Sequence, residues 1–379
     1  MSDKERKALD CIILDAFGNH YHEKEIIELG QRVVDQDFKK MPPHKRNALG
    51  EVLAVARHAE VPLPHLTDLI IHHLKLDPRS DEANVMHAIA DMAAQDTAHP
   101  FHNSRHVGDT LISLMALWHA NELPLERLPA HVMKMLGHDL RHPGLTNQHS
   151  SFAQRTGGKE YIERDSLKVL GLAEENGKVV ILENSVFNGI RDEKRRQEIV
   201  ETVWQGVLDT EPTNAGNVRR EFLGVWNAWA DGRGSEERFN RWLERVVALR
   251  ADILPSQTYY GSKSLAHTLC EEWKKALDRE SGLTEEQRAS KLSEIEKIIS
   301  PKGQATFINS NGPCTPGEFK MGLFHEKIWL VNKFLYDRDF APQLGFERPS
   351  FPDRTARDGF DAGIPRGRLV VLEAFCATS

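Results

Sequence analysis

The chain has 379 residues, room for one large domain or two ordinary ones. Its formal net charge of -7 speaks against general nucleic-acid binding, which favours a basic footprint, yet leaves open a small anionic ligand met by a local field. No apolar run approaches the roughly 20 residues of a bilayer span, and "MSDKERKALD" leads into no signal-like apolar stretch, so a soluble cytoplasmic protein is expected.

Helical periodicity dominates from the N-terminus onward. "GEVLAVARHAE" (50–60), "HLTDLIIHHLKL" (65–76) and "VMHAIADMAAQ" (85–95) place apolar residues three and four apart. Next comes "FHNSRHVGDT" (101–110), where His102, His106 and Asp109 would share one face of a helix. That spacing fits a ligand and an acid, and it also fits a polar helix face with incidental histidines. "LPAHVMKMLGHDLRHPGLTN" (128–147) is an apolar helix running into His138-Asp139 and then His142, with Pro143 and Gly144 stopping it beside a pocket. Such a dyad supplies a neutral nitrogen and an anionic oxygen, a pairing suited to zinc, iron or manganese. Eight of the 18 histidines lie between His99 and His149, a crowding that chance or surface polarity can produce and that a metal site would require.

Further helices are expected at 195–208, 238–254, 267–280 and 323–337, with a charged, solvated helix or loop at 283–298. Strand candidates are confined to "KVVIL" (178–182) and "RLVVLEAF" (368–375), so the reading is an all-α, compact multi-helix bundle. No repeat of 20 to 50 residues is visible. Residues 1–340 read as one all-helical catalytic domain, completed by the helices within 1–84, and 341–379 as an extended Pro/Gly/Arg-containing tail. Cys11, Cys270, Cys314 and Cys376 are scattered without metal-ligand spacing and read as free thiols.

"FHNSRHVGD" followed by "GHDLRHPGLTN" resembles the signature of the class I 3′,5′-cyclic-nucleotide phosphodiesterases, an all-α branch of the HD-domain metallohydrolases. Phe101, His102, Asn103, His106 and Asp109 match its first part; His138, Asp139, His142, Pro143, Gly144 and Asn147 match its second. The family's further metal-binding aspartate, about a hundred residues on, corresponds to Asp252 in "LRADILPS", with Asp209 and Glu211 as alternative carboxylates. Its purine-reading Q-x-x-F segment corresponds to Gln304 and Phe307, which lie 52 and 55 residues after Asp252. Three departures stand out. Leucine replaces a serine-asparagine pair after Asp252, no histidine follows Leu182-Glu183, and Arg141 stands where an acidic residue is common.

The resemblance implies metal-dependent hydrolysis of cAMP, cGMP or both to 5′-monophosphates. It implies a first ion, likened to Zn²⁺, on His106, His138, Asp139 and Asp252, and a second, Mg²⁺ or Mn²⁺, bridged through Asp139. It makes His102 the general acid, His142, Asp109 and Asn147 supports of the inner ligands, and Gln304 and Phe307 the nucleotide contacts. No nucleic-acid or membrane partner is implied, and the sequence names no protein partner. Two other readings remain. The H-P-G after the dyad and the Q-x-x-F segment tell against another HD-type nucleotide phosphohydrolase, and the intact ligand set tells against a non-catalytic nucleotide-binding scaffold.

Overall fold

The computed structural model describes residues 1–18, 20–33, 48–96, 99–120, 123–144, 162–210, 233–257 and 259–299, together with Glu221, Val225 and Ala228. Asn147, Glu211, Gln304, Phe307, the expected helix at 323–337, the strand candidate at 368–375 and the tail lie outside them.

Among the described residues the apolar periodicity folds into twelve α-helices. α1 (Asp3–Phe17), α2 (Glu23–Val33) and α3 (Ala48–His58) precede α4 (Leu63–His73), α5 (Asp81–Ala94) and α6 (Ser104–Ala120). α7 (Leu128–Gly137), α8 (Glu163–Val169), α9 (Glu193–Thr210), α10 (Glu236–Gln257), α11 (Tyr259–Asp278) and α12 (Glu285–Ile299) follow. The caps are written in the sequence. Ser2 and Glu5 form a reciprocal capping box at the start of α1, and the Ser80 hydroxyl accepts from the Ala83 N–H (3.2 Å) at the start of α5.

The strand expected at 178–182 is β2 (Lys178–Ile181), paired antiparallel with β1 (Leu172–Glu175) in register Leu172 to Ile181. The turn is Asn176-Gly177, with φ of 52° and 74°. Two successive positive φ values are what a two-residue hairpin of this hand demands, and Asn-Gly accepts them at little cost.

One apolar cluster runs from Leu9 of α1 to Ala251 of α10, so the N-terminal helices share a core with the helices that carry the histidines. Trp118 and Phe17 are fully buried in it, each removing about 150–250 Å² from water, or about 4–6 kcal/mol at ~25 cal/mol per Å². α6 packs against α10, and α7 against α9 and α5. Every residue of α7 is buried. A second, smaller cluster joins Phe101 to Leu269, Cys270, Leu277 and Ile295, tying α11 and α12 to the residue before His102. The charged segment at 283–298 is therefore helix α12, solvated along much of its length but seated through Ile295.

Candidate metal centre

Three helix segments meet at one point: the start of α6, the turn after α7, and the last turns of α10. The start of α6 is set by Asn103. Its Oδ1 accepts from the backbone N–H groups of Arg105 (2.9 Å) and His106 (3.3 Å), and its Nδ2 donates to the His99 and Pro100 carbonyls at 2.8 Å each. An asparagine there satisfies donors that a helix start leaves unpaired. The helix consequently begins at Ser104, with His106 in its first turn. The single helical face expected for His102, His106 and Asp109 is corrected: His102 precedes the helix.

α7 also stops earlier than Pro143. It ends at Gly137, the His142 N–H donates to the Asp139 carbonyl (3.0 Å), and Arg141 takes a φ of 54°. The chain thus folds back at once and leaves His138 and Asp139 on a turn. Gly144 has a φ of 63°, and a Cβ there would run into the His99 ring, so glycine is required on both counts. His138 Nδ1 donates to the Met135 carbonyl (2.8 Å), which fixes the tautomer and leaves the Nε2 lone pair facing inward.

His106 Nε2 lies 3.4 Å from Asp139 Oδ2 and 3.2 Å from Asp252 Oδ1; His138 Nε2 lies 3.2 Å from each of the same two oxygens. A tetrahedral ion with bonds of about 2.0–2.1 Å has ligand–ligand edges of about 3.3–3.4 Å. His106, His138 and Asp139 each bring a ligand atom within 4.8 Å of the others, donors of the kind a divalent cation takes, and Asp252 closes on both imidazoles. Of the alternative carboxylates, Asp209 is engaged elsewhere. Arg245 holds it by two hydrogen bonds of 2.8 Å, and Gln205 Nε2 donates to it at 2.9 Å.

Burial pulls the imidazoles toward neutrality, but the hydrogen bonds and charge of Asp139 and Asp252 prevail, holding His106 at about 9 and His138 at about 10. Burial acts on the two carboxyls in the opposite sense, and the imidazoles draw both well below the ordinary aspartate value.

His102 stands beside this cluster, its ring centre 6.2 Å from that of His106. Its Nδ1 meets Glu272 Oε1 at 2.5 Å, while Glu272 Oε2 accepts from the Phe101 (2.9 Å) and His102 (3.1 Å) N–H groups. Burial alone would lower the His102 pKa, but the Glu272 charge and hydrogen bond raise it above the ordinary histidine value. In turn Glu272 is held down at about 2, against its burial, by the His102 charge. The His142 ring stacks on His102 with centres 3.7 Å apart, and its Nδ1 accepts from the Gly144 N–H (3.1 Å). Burial and the neighbouring His102 charge push His142 down to about 3, so it stays neutral. Asp109 is paired with Arg57 of α3 at 2.6 Å.

The 3'5'-cyclic nucleotide phosphodiesterase family matches residues 101–313, more than half of the chain, including the start of α6, the turn after α7 and the last turns of α10. The chain belongs to that family. The activity follows from membership: this is a cyclic-nucleotide phosphodiesterase, and the family's metal dependence agrees with the ligand set at the centre. The phosphodiesterase domain of the RhoPDE fusion protein from the choanoflagellate Salpingoeca rosetta is similar at 18% identity, covering 76% of this chain and 92% of that one with a TM-score of 0.42. LmjPDEB1, solved in complex with IBMX, is similar at 13% identity over 88% of this chain and 94% of its own, with a TM-score of 0.45. The phosphodiesterase domain of Salpingoeca rosetta rhodopsin phosphodiesterase gives 18%, 84%, 97% and 0.42 for the same four quantities. No curated protein sequence matches the chain. No described helix is long and apolar enough to cross a membrane.

Two polar partners of the phosphodiesterase site have no signal in the sequence, Glu272 and Arg57. Each reaches its histidine or aspartate from a distant helix, 170 and 52 residues away along the chain, with no local spacing to announce it.

The raised imidazole pKa values carry a measurable consequence. Metal-free protein at pH 7 holds a proton on both His106 and His138, whereas a ligand imidazole must be neutral, so zinc uptake should release about two protons. The release should shrink, and the apparent affinity rise, as pH climbs through about 9 to 10. Calorimetric zinc titration in buffers of different ionisation enthalpy measures this directly; no proton release at pH 7 would contradict the imidazole–carboxylate cluster.

Proposed function

We propose that this phosphodiesterase converts cAMP, cGMP or both to the 5′-monophosphate in the cytoplasm, through a catalytic domain spanning residues 1–340. In this reading His106, His138, Asp139 and Asp252 would hold a Zn²⁺, and Asp139 would also serve a second ion, Mg²⁺ or Mn²⁺. The observation that carries it is the convergence of both imidazole Nε2 atoms on the same two carboxylate oxygens at 3.2–3.4 Å, beside an imidazole backed by a buried glutamate. Asp139 supports the shared role, its side chain being 12% exposed against 7% for Asp252.

A divalent cation held by these residues would supply Lewis-acid chemistry, bringing the pKa of water from 15.7 toward about 7 and easing the phosphate charge. The chain's own residues supply the rest. His138 is oriented by the Met135 carbonyl, so once its Nε2 proton leaves the ring needs no reorganisation to serve as a ligand. His102 gives the proton to the departing ribose oxygen. With Nδ1 committed to Glu272, Nε2 is the nitrogen that hands it over, and the buried carboxylate keeps the imidazolium populated near neutrality. General acid help of this kind contributes about 10²- to 10⁴-fold. The neutral His142 ring buttresses His102 by stacking and Asp109 anchors α6 to α3 through Arg57, while the family motif gives Asn147 a supporting role. Phe307 stacks on the purine and Gln304 bonds its edge; the amide presents donor or acceptor by flipping, which suits adenine and guanine alike.

Purified protein supplied with cAMP and cGMP should release the 5′-monophosphate, lose the activity to a chelator and regain it with Zn²⁺ plus Mg²⁺. Turnover of dNTPs or alarmones with neither cyclic nucleotide consumed would overturn the reading. Gln304→Ala should raise KM about tenfold at unchanged metal content, the cost of one lost hydrogen bond to the base; an unaltered KM removes Gln304 from the pocket.

A further inference from the structure

Asp96 and His99, from the connection between α5 and α6, grip the turn that carries His138 and Asp139. The Arg141 N–H donates to Asp96 Oδ2 at 2.7 Å. Further along the turn, Gly144 passes so close to the His99 ring that an added Cβ would run into its Nδ1. Asp96 also reaches the other side of the centre, because its backbone carbonyl accepts from the N–H of Ser104 (3.1 Å), the first residue of α6. One half-buried aspartate is thus bonded through its side chain to the residue two after Asp139, and through its backbone to the residue two before His106.

Arg141 is the strained point of that turn. Its φ of 54° lies in the left-handed region, where a Cβ crowds the following carbonyl and glycine alone sits at ease. Backbone held there persists only where its surroundings over-determine it. The His142 N–H, bonded to the Asp139 carbonyl at 3.0 Å, closes the turn from within. Asp96 closes it from outside, at the strained residue itself, with a carboxylate acceptor that bonds an N–H more strongly than a neutral oxygen does. The Asp139 side chain leaves this turn to meet His106 and His138 at 3.4 and 3.2 Å.

We propose that Asp96 is a positioning residue for the metal centre: its carboxylate holds Arg141 in the left-handed conformation and so sets where Asp139 stands relative to His106 and His138. The inference rests on the reading of Asp139 as a ligand.

The test measures zinc dissociation constants by competition with a colorimetric chelator, together with melting temperature and kcat/KM, on the full chain and its variants. Removing a group that orients a ligand typically costs about 10- to 100-fold in metal affinity or activity, so Asp96→Ala should weaken zinc binding at least about tenfold and lower kcat/KM with it. Asp96→Asn keeps an acceptor oxygen for the Arg141 N–H and should stay within about threefold of wild type. Glycine takes the positive φ unaided, so adding Arg141→Gly to Asp96→Ala should recover at least about threefold in affinity. An Asp96→Ala protein that melts earlier yet binds zinc within about twofold of wild type would make Asp96 a structural tie and overturn the proposal, and so would a loss that Arg141→Gly leaves untouched. Should Asp96→Ala fail to fold, Asp96→Ser takes its place. Its hydroxyl keeps the site polar but draws the acceptor back from the N–H, so zinc binding should still weaken at least about threefold, and an unchanged constant overturns the proposal. Asp139→Ala run in parallel separates the two layers. If it keeps its zinc, the ligand reading fails whatever Asp96 does; if it loses zinc while Asp96→Ala does not, only the positioning role falls.

Discussion

Asp252→Ala should lose its tightly held zinc and at least about 10³-fold in kcat/KM. In the proposed reading the side chain supplies one of two anionic ligand atoms, its Oδ1 being 3.2 Å from each imidazole. Without it a dication would face two neutral nitrogens and a single carboxylate. The catalytic loss is large because water of pKa 15.7 is hydroxide to only about one part in 10⁸ or 10⁹ at neutral pH, against about half at pKa 7. Asp252→Asn is the companion variant, keeping shape and packing while removing charge. Elemental analysis after dialysis and kcat/KM on the same preparation provide the check; zinc retained at full occupancy would redirect the fourth ligand to Glu211.

The same substitution has a signature in metal-free protein. His106 and His138 have folded pKa values raised from 6.5 to about 9 and about 10. A raised folded value stabilises fully below the unfolded value, and that contribution drains away as pH rises through the folded one. Metal-free wild type should therefore lose stability between pH 6.5 and about 10, and Asp252→Ala should show a shallower loss because one of the two carboxylates that raise both values is gone.

How much of this centre is legible in the sequence depends on how far along the chain each partner sits. His106, His138 and Asp139 stand out because ligand-type residues recur within a turn or at a helix end, and Asp252 follows from the family pattern. Asn103 is equally visible, but as part of a motif its spacing says nothing of the N-capping role that puts His102 outside the helix. Glu272 is not legible. It is one of two adjacent glutamates in "HTLCEEWKK", and only tertiary packing buries it beneath Phe101 and His102. The helical elements are readable from periodicity. Strand β1, "LAEE", is not, since it carries no alternating apolar pattern and is defined by the Asn176-Gly177 turn that pairs it with β2.

His102→Ala should keep its metal and lose about 10²- to 10⁴-fold in kcat on a cyclic nucleotide. Glu272→Gln should reproduce much of that loss with every atom of His102 in place. The glutamine oxygen still accepts from the backbone N–H groups of Phe101 and His102, so the local chain keeps its anchor. The charge opposing the imidazolium is gone, and burial, the largest influence on His102, then lowers its pKa. Because the protonated form is the one that gives up a proton, the alkaline limb of kcat should move to lower pH in Glu272→Gln. The double variant should be little worse than His102→Ala alone, since a carboxylate that acts through an imidazole has nothing to act on without it. An aryl phosphodiester with an acidic leaving group supplies the decisive control: its departure needs no proton, so both variants should hydrolyse it nearly as fast as wild type. Equal losses on both substrates would mean that His102 and Glu272 shape the site rather than protonate the ribose oxygen.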